Sequence, residues 1–293
     1  MTVVERAHAK VNLVLRVGPP RPDGLHPLCS LFAALDLADE LTVMEAAGDA
    51  DEVACSGVDG DNLAAAAVAA FRAAVPDAEL PPLRIEIHKL IPVAAGLAGG
   101  SADAAAALRA ANSLSGSPLS VDELRRIAAG LGSDVPSQVE PAHAVVTGVG
   151  ERVERVDLPP MTLVLVPQLQ GLSTAEVYAE LDRLGRHSSD LDPAPLRSLA
   201  AGSLSDLAGG IANDLQPAAL ALRPDLSEPI ETLFEAGALA AQVTGSGPTT
   251  FGLFEERLAA ERAAATIDGR RAAVAQATGA EPPPLAIVTE TLP

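Results

Sequence analysis

The sequence is poor in aromatic residues and cysteine, and it has no long apolar run. Tryptophan is absent, and phenylalanine and tyrosine together make up 2% of its 293 residues. The two cysteines, Cys29 and Cys55, have neither the number nor the spacing of a disulfide framework or a zinc site. Although 48% of the residues are hydrophobic, no apolar run reaches the ~18 residues needed to cross a bilayer. We therefore expect a soluble protein without a membrane partner, and the absence of a signal-peptide pattern predicts a cytoplasmic location.

Positive charge is also scarce. The formal net charge is -19, whereas proteins that bind nucleic acid use basic residues to displace the counterions around phosphates. This argues against DNA or RNA as a partner. An anionic small-molecule ligand would have to be held by local backbone N–H groups and a metal ion, because the field of the whole protein would repel it.

Lysine is the rarest charged residue. Only Lys10 and Lys89 occur, and arginine supplies the other 18 of the 20 basic residues. Lys10 lies in an alternating apolar segment, where a lysine suggests a need for a compact ammonium group that a planar guanidinium cannot replace. Lys89 follows a predicted strand, and we expect it to be a solvated charge.

Strand and helix patterns follow one another irregularly, which predicts an α+β protein. The first 45 residues alternate as strands around a turn, residues 84–88 alternate as a further strand, and the composition from Ser101 to Leu114 favours a helix. The length suggests two lobes. We divide the chain into residues 1–155 and residues 156–293.

A glycine-rich segment joins the predicted strand at 84–88 to the helix that follows. Its residues are Pro92, Val93, Ala94, Ala95, Gly96, Leu97, Ala98, Gly99, Gly100, Ser101 and Ala102. A helix start exposes unpaired N–H groups and the positive end of the helix dipole, and glycines let the backbone approach a phosphate closely. The segment therefore suits the triphosphate of a nucleotide.

This segment matches neither of the two commonest nucleotide-binding patterns. No lysine followed by serine or threonine comes after the last glycine, and the GxGxxG spacing of dinucleotide sites is absent. Read alone, it is equally compatible with a plain strand-to-helix turn in which Ser101 is the N-cap. We expect Asp103, in the first helical turn, to complement the helix dipole.

Two further segments accompany the glycine-rich one, Ala9–Leu13 near the N-terminus and Val243–Thr249 near the C-terminus. The three motifs, in this order and at these distances, resemble those of the GHMP kinases. Three more segments narrow the resemblance to the members that act on a cytidyl diphosphate alcohol in the non-mevalonate pathway to isoprenoid precursors. These segments are Arg21–His26, Leu131–Pro136 and Ala212–Leu215.

The resemblance implies a fold, a reaction and its catalytic residues. The fold would have an S5-like N-terminal lobe and a ferredoxin-like C-terminal lobe. The reaction would transfer the γ-phosphoryl group of ATP, with Mg²⁺, to the 2-hydroxyl of the cytidyl substrate. Asp134 matches the family's catalytic aspartate, which acts as general base, and Lys10 matches its catalytic lysine. No metal ligand follows from the sequence, and the chain would act as a monomer or a homodimer.

The resemblance also implies which residues bind the substrate. The matching positions are Asn12, Leu25, His26, Tyr178, Gly245, Ser246 and Gly247. His26 can offer both a donor and an acceptor to a base edge. The family commonly has an aromatic residue where this chain has Leu25, so one face of the stack around cytosine would be missing, and Tyr178 would supply the other face.

Three alternatives are open at this stage. The chain could be another GHMP kinase, acting on mevalonate, homoserine or a sugar, although Asp23, Gly24 and His26 argue against this. It could be a non-catalytic binding protein with the same fold, although Lys10 and Asp134 are retained. A ribosomal or RNA-binding protein of the related S5-like fold conflicts with the acidic charge.

Overall fold

The computed structural model describes residues 1–58 and 62–293, and it contains two β-sheets with helices packed on them. The first sheet has the strand order β3-β4-β2-β1-β8, and β5 and β6 extend it from the first half of β2. Its strands are β1 (Thr2–Val17), β2 (Leu28–Glu45), β3 (Glu52–Cys55), β4 (Leu83–His88), β5 (Ala144–Gly148), β6 (Arg152–Arg155) and β8 (Ala212–Asn213).

In the described part of the N-terminal half of the chain, four helices accompany this sheet. They are α1 (Leu63–Ala74), α2 (Gly99–Leu114), α3 (Val121–Ala129) and α4 (Val135–Gln138). The central one is α2, which packs on α1 and on β1. Most of its buried residues are alanines, and these small side chains allow close approach on several sides at once. The start of α2 is thereby held firmly against the sheet.

The second sheet is antiparallel throughout, in the order β11-β7-β10-β9. Its strands are β7 (Thr162–Val166), β9 (Ala240–Val243), β10 (Thr250–Phe254) and β11 (Ile287–Glu290). The accompanying helices are α5 (Thr174–Leu184), α6 (Ala194–Ala200), α7 (Leu204–Gly210), α8 (Gln216–Leu222), α9 (Ser227–Glu235) and α10 (Arg257–Thr278).

Both faces of the second sheet are covered, so β7 is apolar along almost its whole length. Val164 and Val166 belong to a core formed with α9 and α10. Leu163 and Leu165 face the other way, into a core that also contains Leu13 and other residues of the first sheet. Because this shared core joins the two sheets, loops from both halves of the chain lie against one another.

The structure confirms the predicted α+β class and corrects one helix boundary. The helix expected from Ser101 begins at Gly99, and its N-cap is Ala98 in a left-handed conformation without a side-chain cap bond. The expectation that Ser101 is the N-cap is therefore wrong. The division of the chain at residue 155 stays a prediction, since β8, from the second half, pairs in parallel with β1.

Within residues 1–58 and 62–293, no helix combines the length and apolar character that a membrane span requires.

Candidate active site

A cavity of about 1010 Å³ lies where the loops of the two halves meet. It is lined by β1, the glycine-rich loop, the loop before α4, helix α5 and the loop between β9 and β10. Eighteen of the twenty site residues predicted from the sequence line it. The two that do not are Ala102, which is buried in α2, and Gly247, which packs behind the loop at Gly96.

Strand β1 directs Lys10 into this cavity. Lys10 and Asn12 are two residues apart and so lie on one face of the strand, and Phe32 of β2 is the pairing partner of Asn12. The Lys10 Nζ donates to Asn12 Oδ1 at 2.8 Å and lies 4.5 Å from the centre of the Phe32 ring. The Lys10 side chain is only 5% exposed. A buried ammonium needs such partners, and they fix where its charge is placed.

The carboxylate of Asp134 faces Lys10, with 3.3 Å between Lys10 Nζ and Asp134 Oδ2. Asp134 immediately precedes α4, but its side chain makes no capping hydrogen bond to that helix. The carboxylate is 36% exposed and lines the cavity. An acid that neither caps a helix nor is fully paired is able to receive a proton from a bound alcohol.

The glycine-rich loop turns through left-handed backbone conformations before α2 begins. Ala94, Gly96 and Ala98 have φ angles of 54°, 76° and 59°. At Gly96 a Cβ atom would overlap the carbonyl of Gly247, so only glycine fits there. The first N–H groups of α2 have no acceptor within the helix, and the loop leaves them at the cavity wall. This is the arrangement that binds phosphate groups.

Backbone and side-chain hydrogen bonds join the three motifs into one unit. The N–H of Lys10 donates to the carbonyl of Leu97 at 3.2 Å, and the N–H of Asn12 donates to Thr244 Oγ1 at 3.0 Å. The Asn213 side chain donates to the carbonyl of Gly245 at 2.8 Å, which fixes the loop between β9 and β10. Thr244 and Asn213 lie in two of the motif segments, but nothing in the sequence marked them as the residues that position these loops.

Lys89 and Asp103 are placed differently from what we expected. Lys89 is not solvated, because its Nζ donates to Asp39 Oδ2 at 2.5 Å and to Asp103 Oδ2 at 2.7 Å. Burial raises the pKa of Asp103 to about 6, against the opposing effect of Lys89. Asp103 therefore does not serve as a solvent-facing complement to the helix dipole. The cluster ties the first turn of α2 to the end of β4.

The side chains predicted to bind the cytidyl group gather at one end of the cavity. The rings of His26 and Tyr178 have their centres 4.9 Å apart and are tilted by 49°. Burial, with the nearby charge of Asp134, raises the pKa of Tyr178 to about 12, so the phenol is neutral. Leu25 lies at the cavity wall and is 50% exposed. Ser246 also lines the cavity, with 3.0 Å between its Oγ and Thr174 Oγ1 at the start of α5.

Two members of this group had no signal in the sequence. Asp182 Oδ1 lies 2.8 Å from His26 Nε2 and 2.7 Å from His187 Nε2. His26 and Asp182 are 156 positions apart, and no spacing pattern connects a turn near the N-terminus to the last turn of α5. Only the tertiary structure brings them together.

Comparison with known proteins shows the family of this chain. Residues 62–141 match the model of the GHMP kinases N terminal domain, and residues 196–271 match that of the GHMP kinases C terminal domain. A 4-diphosphocytidyl-2-C-methyl-D-erythritol kinase of Streptomyces coelicolor is 44% identical over 96% of this chain and 99% of its own length. The enzyme of the same name from Thermobifida fusca is 44% identical over 91% of each chain.

A solved structure leads to the same assignment. A crystal structure of 4-(cytidine 5'-diphospho)-2C-methyl-D-erythritol kinase superposes with a TM-score of 0.79 and 31% identity, over 99% of both chains. The match confirms the two-lobed fold expected from the sequence motifs. On these grounds the chain belongs to the GHMP kinases, within the family of 4-diphosphocytidyl-2-C-methyl-D-erythritol kinases.

Proposed function

We propose that this protein transfers the γ-phosphoryl group of ATP to the 2-hydroxyl of 4-diphosphocytidyl-2-C-methyl-D-erythritol, a step of the non-mevalonate route to isoprenoid precursors. The observation that carries the proposal is the Lys10–Asp134 pair, set in the same cavity as the glycine-rich loop. An acceptor hydroxyl between the two side chains would face a phosphate held by the start of α2. The names of the relatives supply the identity of the alcohol.

Asp134 is the proposed general base. Its carboxylate receives the proton of the 2-hydroxyl while the oxygen forms its bond to the γ-phosphorus and the bond to ADP breaks. Lys10 supplies a fixed positive charge next to the attacking oxygen. Because Asn12 and the Phe32 ring already hold the ammonium in place, little reorganisation is needed as negative charge develops.

The glycine-rich segment from Pro92 to Ala102 is the proposed ATP phosphate site. Its backbone N–H groups replace the basic side chains that an acidic protein does not have. Gly245, Ser246 and Gly247 form the facing loop, near the diphosphate of the substrate. Asn12, Leu25, His26 and Tyr178 surround the remainder of that substrate.

The reaction implies Mg²⁺ as a partner of ATP, and oxygen atoms near the loop fit this ion. Mg²⁺ takes oxygen ligands, among them one or two carboxylates and the phosphates of the nucleotide. Asp103 Oδ1 is a buried carboxylate oxygen without a hydrogen-bond partner in the described part of the chain. Asp103 and the Ser101 hydroxyl would hold the ion, which neutralises phosphate charge when it is bound.

A coupled assay of ADP release tests the proposal. The purified protein is given ATP, Mg²⁺ and, in separate reactions, the cytidyl substrate, mevalonate, homoserine or galactose. We expect turnover with the cytidyl substrate alone. Turnover with only one of the other three alcohols would assign a different GHMP kinase reaction, and binding of ATP without any turnover would indicate a non-catalytic protein of this fold.

A further inference from the structure

The cluster formed by His26, Asp182 and His187 has a specific hydrogen-bond geometry. Both imidazoles direct their Nε2 atoms at the same carboxylate oxygen, Asp182 Oδ1, at 2.8 Å and 2.7 Å. The two rings are nearly parallel, with 17° between their planes and 5.9 Å between their centres. The His26 side chain is 7% exposed, so its orientation is set by these contacts and by Tyr178.

This arrangement determines the tautomer of the neutral His26 ring. A carboxylate accepts hydrogen bonds and has none to donate, so the His26 Nε2 that faces Asp182 must carry the proton. The other nitrogen, Nδ1, is then an acceptor. Among the described residues no side chain or backbone group forms a hydrogen bond with His26 Nδ1, and His26 lines the cavity. The ring therefore presents an acceptor to a ligand, whereas the sequence alone left both a donor and an acceptor available.

His187 keeps Asp182 in the state that this role requires. Burial acts to raise the pKa of Asp182, but hydrogen bonds from His26 and His187 outweigh it and lower the pKa. The carboxylate thus stays ionised and cannot become a donor. Its side chain is 39% exposed, and the hydrogen bond to His187 adds a second partner to that with His26, which restrains the carboxylate from turning towards solvent.

We propose that Asp182, positioned by His187, determines the base specificity of the enzyme by fixing His26 as the Nε2–H tautomer. His26 Nδ1 then accepts a hydrogen bond from the exocyclic amino group of cytosine. A uracil base has a carbonyl oxygen at that position, and two acceptors would face each other. The inference rests on the proposed function, since it assumes a cytidyl substrate in this end of the cavity.

The side chains around the proposed base site make base selectivity depend strongly on this single hydrogen bond. Leu25 offers an aliphatic surface in place of a second aromatic ring, and stacking does not distinguish cytosine from uracil in any case. A site that is built to pair with a polar group rejects an analogue lacking that group far more strongly than an apolar pocket does. The choice of base therefore depends on the acceptor at His26.

The test measures base selectivity, the ratio of kcat/KM for the cytidyl substrate to that for its uridyl analogue. We expect Asp182→Asn to lower this ratio by at least about tenfold, because an amide can either accept from or donate to the imidazole and so permits both tautomers. The change should appear as a higher KM for the cytidyl substrate, with kcat and the KM for ATP nearly unchanged. The matched control is Glu180→Gln, which removes a carboxylate from the same helix, one that pairs with Arg183.

A second measurement does not depend on any variant or on turnover. Nitrogen-15 NMR of the histidines in the wild-type protein, at a pH at which the His26 ring is neutral, should show a protonated Nε2 and an unprotonated Nδ1 for His26. A protonated Nδ1 in the neutral ring would overturn the proposal. So would an unchanged selectivity in an active Asp182→Asn variant, or an equal loss of kcat on both substrates, which would indicate a merely structural role.

The same three side chains have the ligand types of a zinc site, with all three candidate ligand atoms within 4.8 Å of one another. The cluster holds a metal, and the proposal is wrong, if three results are found together. The wild-type protein binds Zn²⁺ added without other ligands, the His187→Gln variant does not bind it, and chelation abolishes activity although Mg²⁺ is present. If the wild-type protein turns over neither base analogue, the proposed function fails, while the NMR result still decides the tautomer.

Discussion

Replacing the proposed base, Asp134→Asn, should separate catalysis from folding. The substitution keeps the size of the side chain and removes its charge. In the structure the Asp134 side chain makes no cap to α4, and its one ionic contact among residues 1–58 and 62–293 is with Lys10 at 3.3 Å. We therefore expect the fold and the nucleotide site to be retained.

The costs to stability and to rate have different origins. The Asp134 side chain is 36% exposed, which weakens the ion pair, but Lys10 is only 5% exposed, so the loss of its charge partner costs more than the about 0–1 kcal/mol of an exposed pair. Lys10 keeps its hydrogen bond to Asn12 and its contact with the Phe32 ring, and these limit the loss of stability. A positioned general base contributes about 10²- to 10⁴-fold in rate, which corresponds to roughly 3–5 kcal/mol of activation free energy.

The assay combines ADP release with thermal unfolding and a nucleotide-binding titration. The control is Asp122→Asn, which removes a carboxylate that is 85% exposed on α3, away from the cavity, and should leave the rate unchanged. The assignment of Asp134 as the base fails if kcat of Asp134→Asn stays within about threefold of the wild-type value, well short of the expected loss. It fails equally if the whole loss is explained by weaker ATP binding.

Three further predictions concern the substrate, the loop and pH. Leu25→Tyr should lower the KM for the cytidyl substrate about fivefold or more, because stacking on a base contributes roughly 1–3 kcal/mol. The KM for ATP should stay unchanged. An unchanged KM for the cytidyl substrate would contradict the stacking argument. Gly96→Ala should lower the free energy of unfolding by about 1–2 kcal/mol or more, because Gly96 has a left-handed conformation and a Cβ atom there would overlap the carbonyl of Gly247. Gly100→Ala is the control, since there is open space around Gly100, and it should leave the free energy of unfolding unchanged. Denaturant titration of both variants measures the difference. Burial lowers the pKa of His143, so its contribution to stability is present above pH 6.5 and is lost as the pH falls below that value. In unfolding curves, the stability of His143→Gln should therefore fall less steeply below pH 6.5 than that of the wild-type protein. An equal fall in both proteins would refute this.

The strands and helices followed from local patterns because each depends on nearby residues. The alternation in β1 and β2, the strand β4 and the helix α2 all lie within one or two residues of where the sequence places them. The start of α2 was misplaced because Ala94 and Ala98 adopt left-handed conformations that alanine rarely takes. Surrounding contacts impose that conformation, and local propensity could not reveal it.

The pairing of charges could not be read from the sequence. Lys89 looked like a surface residue at a strand end, yet it lies between Asp39 and Asp103, which are 50 and 14 positions away along the chain. Which charges meet depends on how β2, β4 and α2 pack, and burial then changes their pKa values.

By itself the sequence indicated the kind of chemistry, because its motifs resemble those of the GHMP kinases, and within them lie the glycine-rich segment, Lys10 and Asp134, which we propose for phosphoryl transfer. The tertiary structure alone decided what surrounds them. It set Phe32 beneath Lys10, and it placed Asp182 and His187 against His26. The physical reason is that hydrogen bonds and charges act over a few ångströms, and only folding brings side chains from distant parts of the chain within that range.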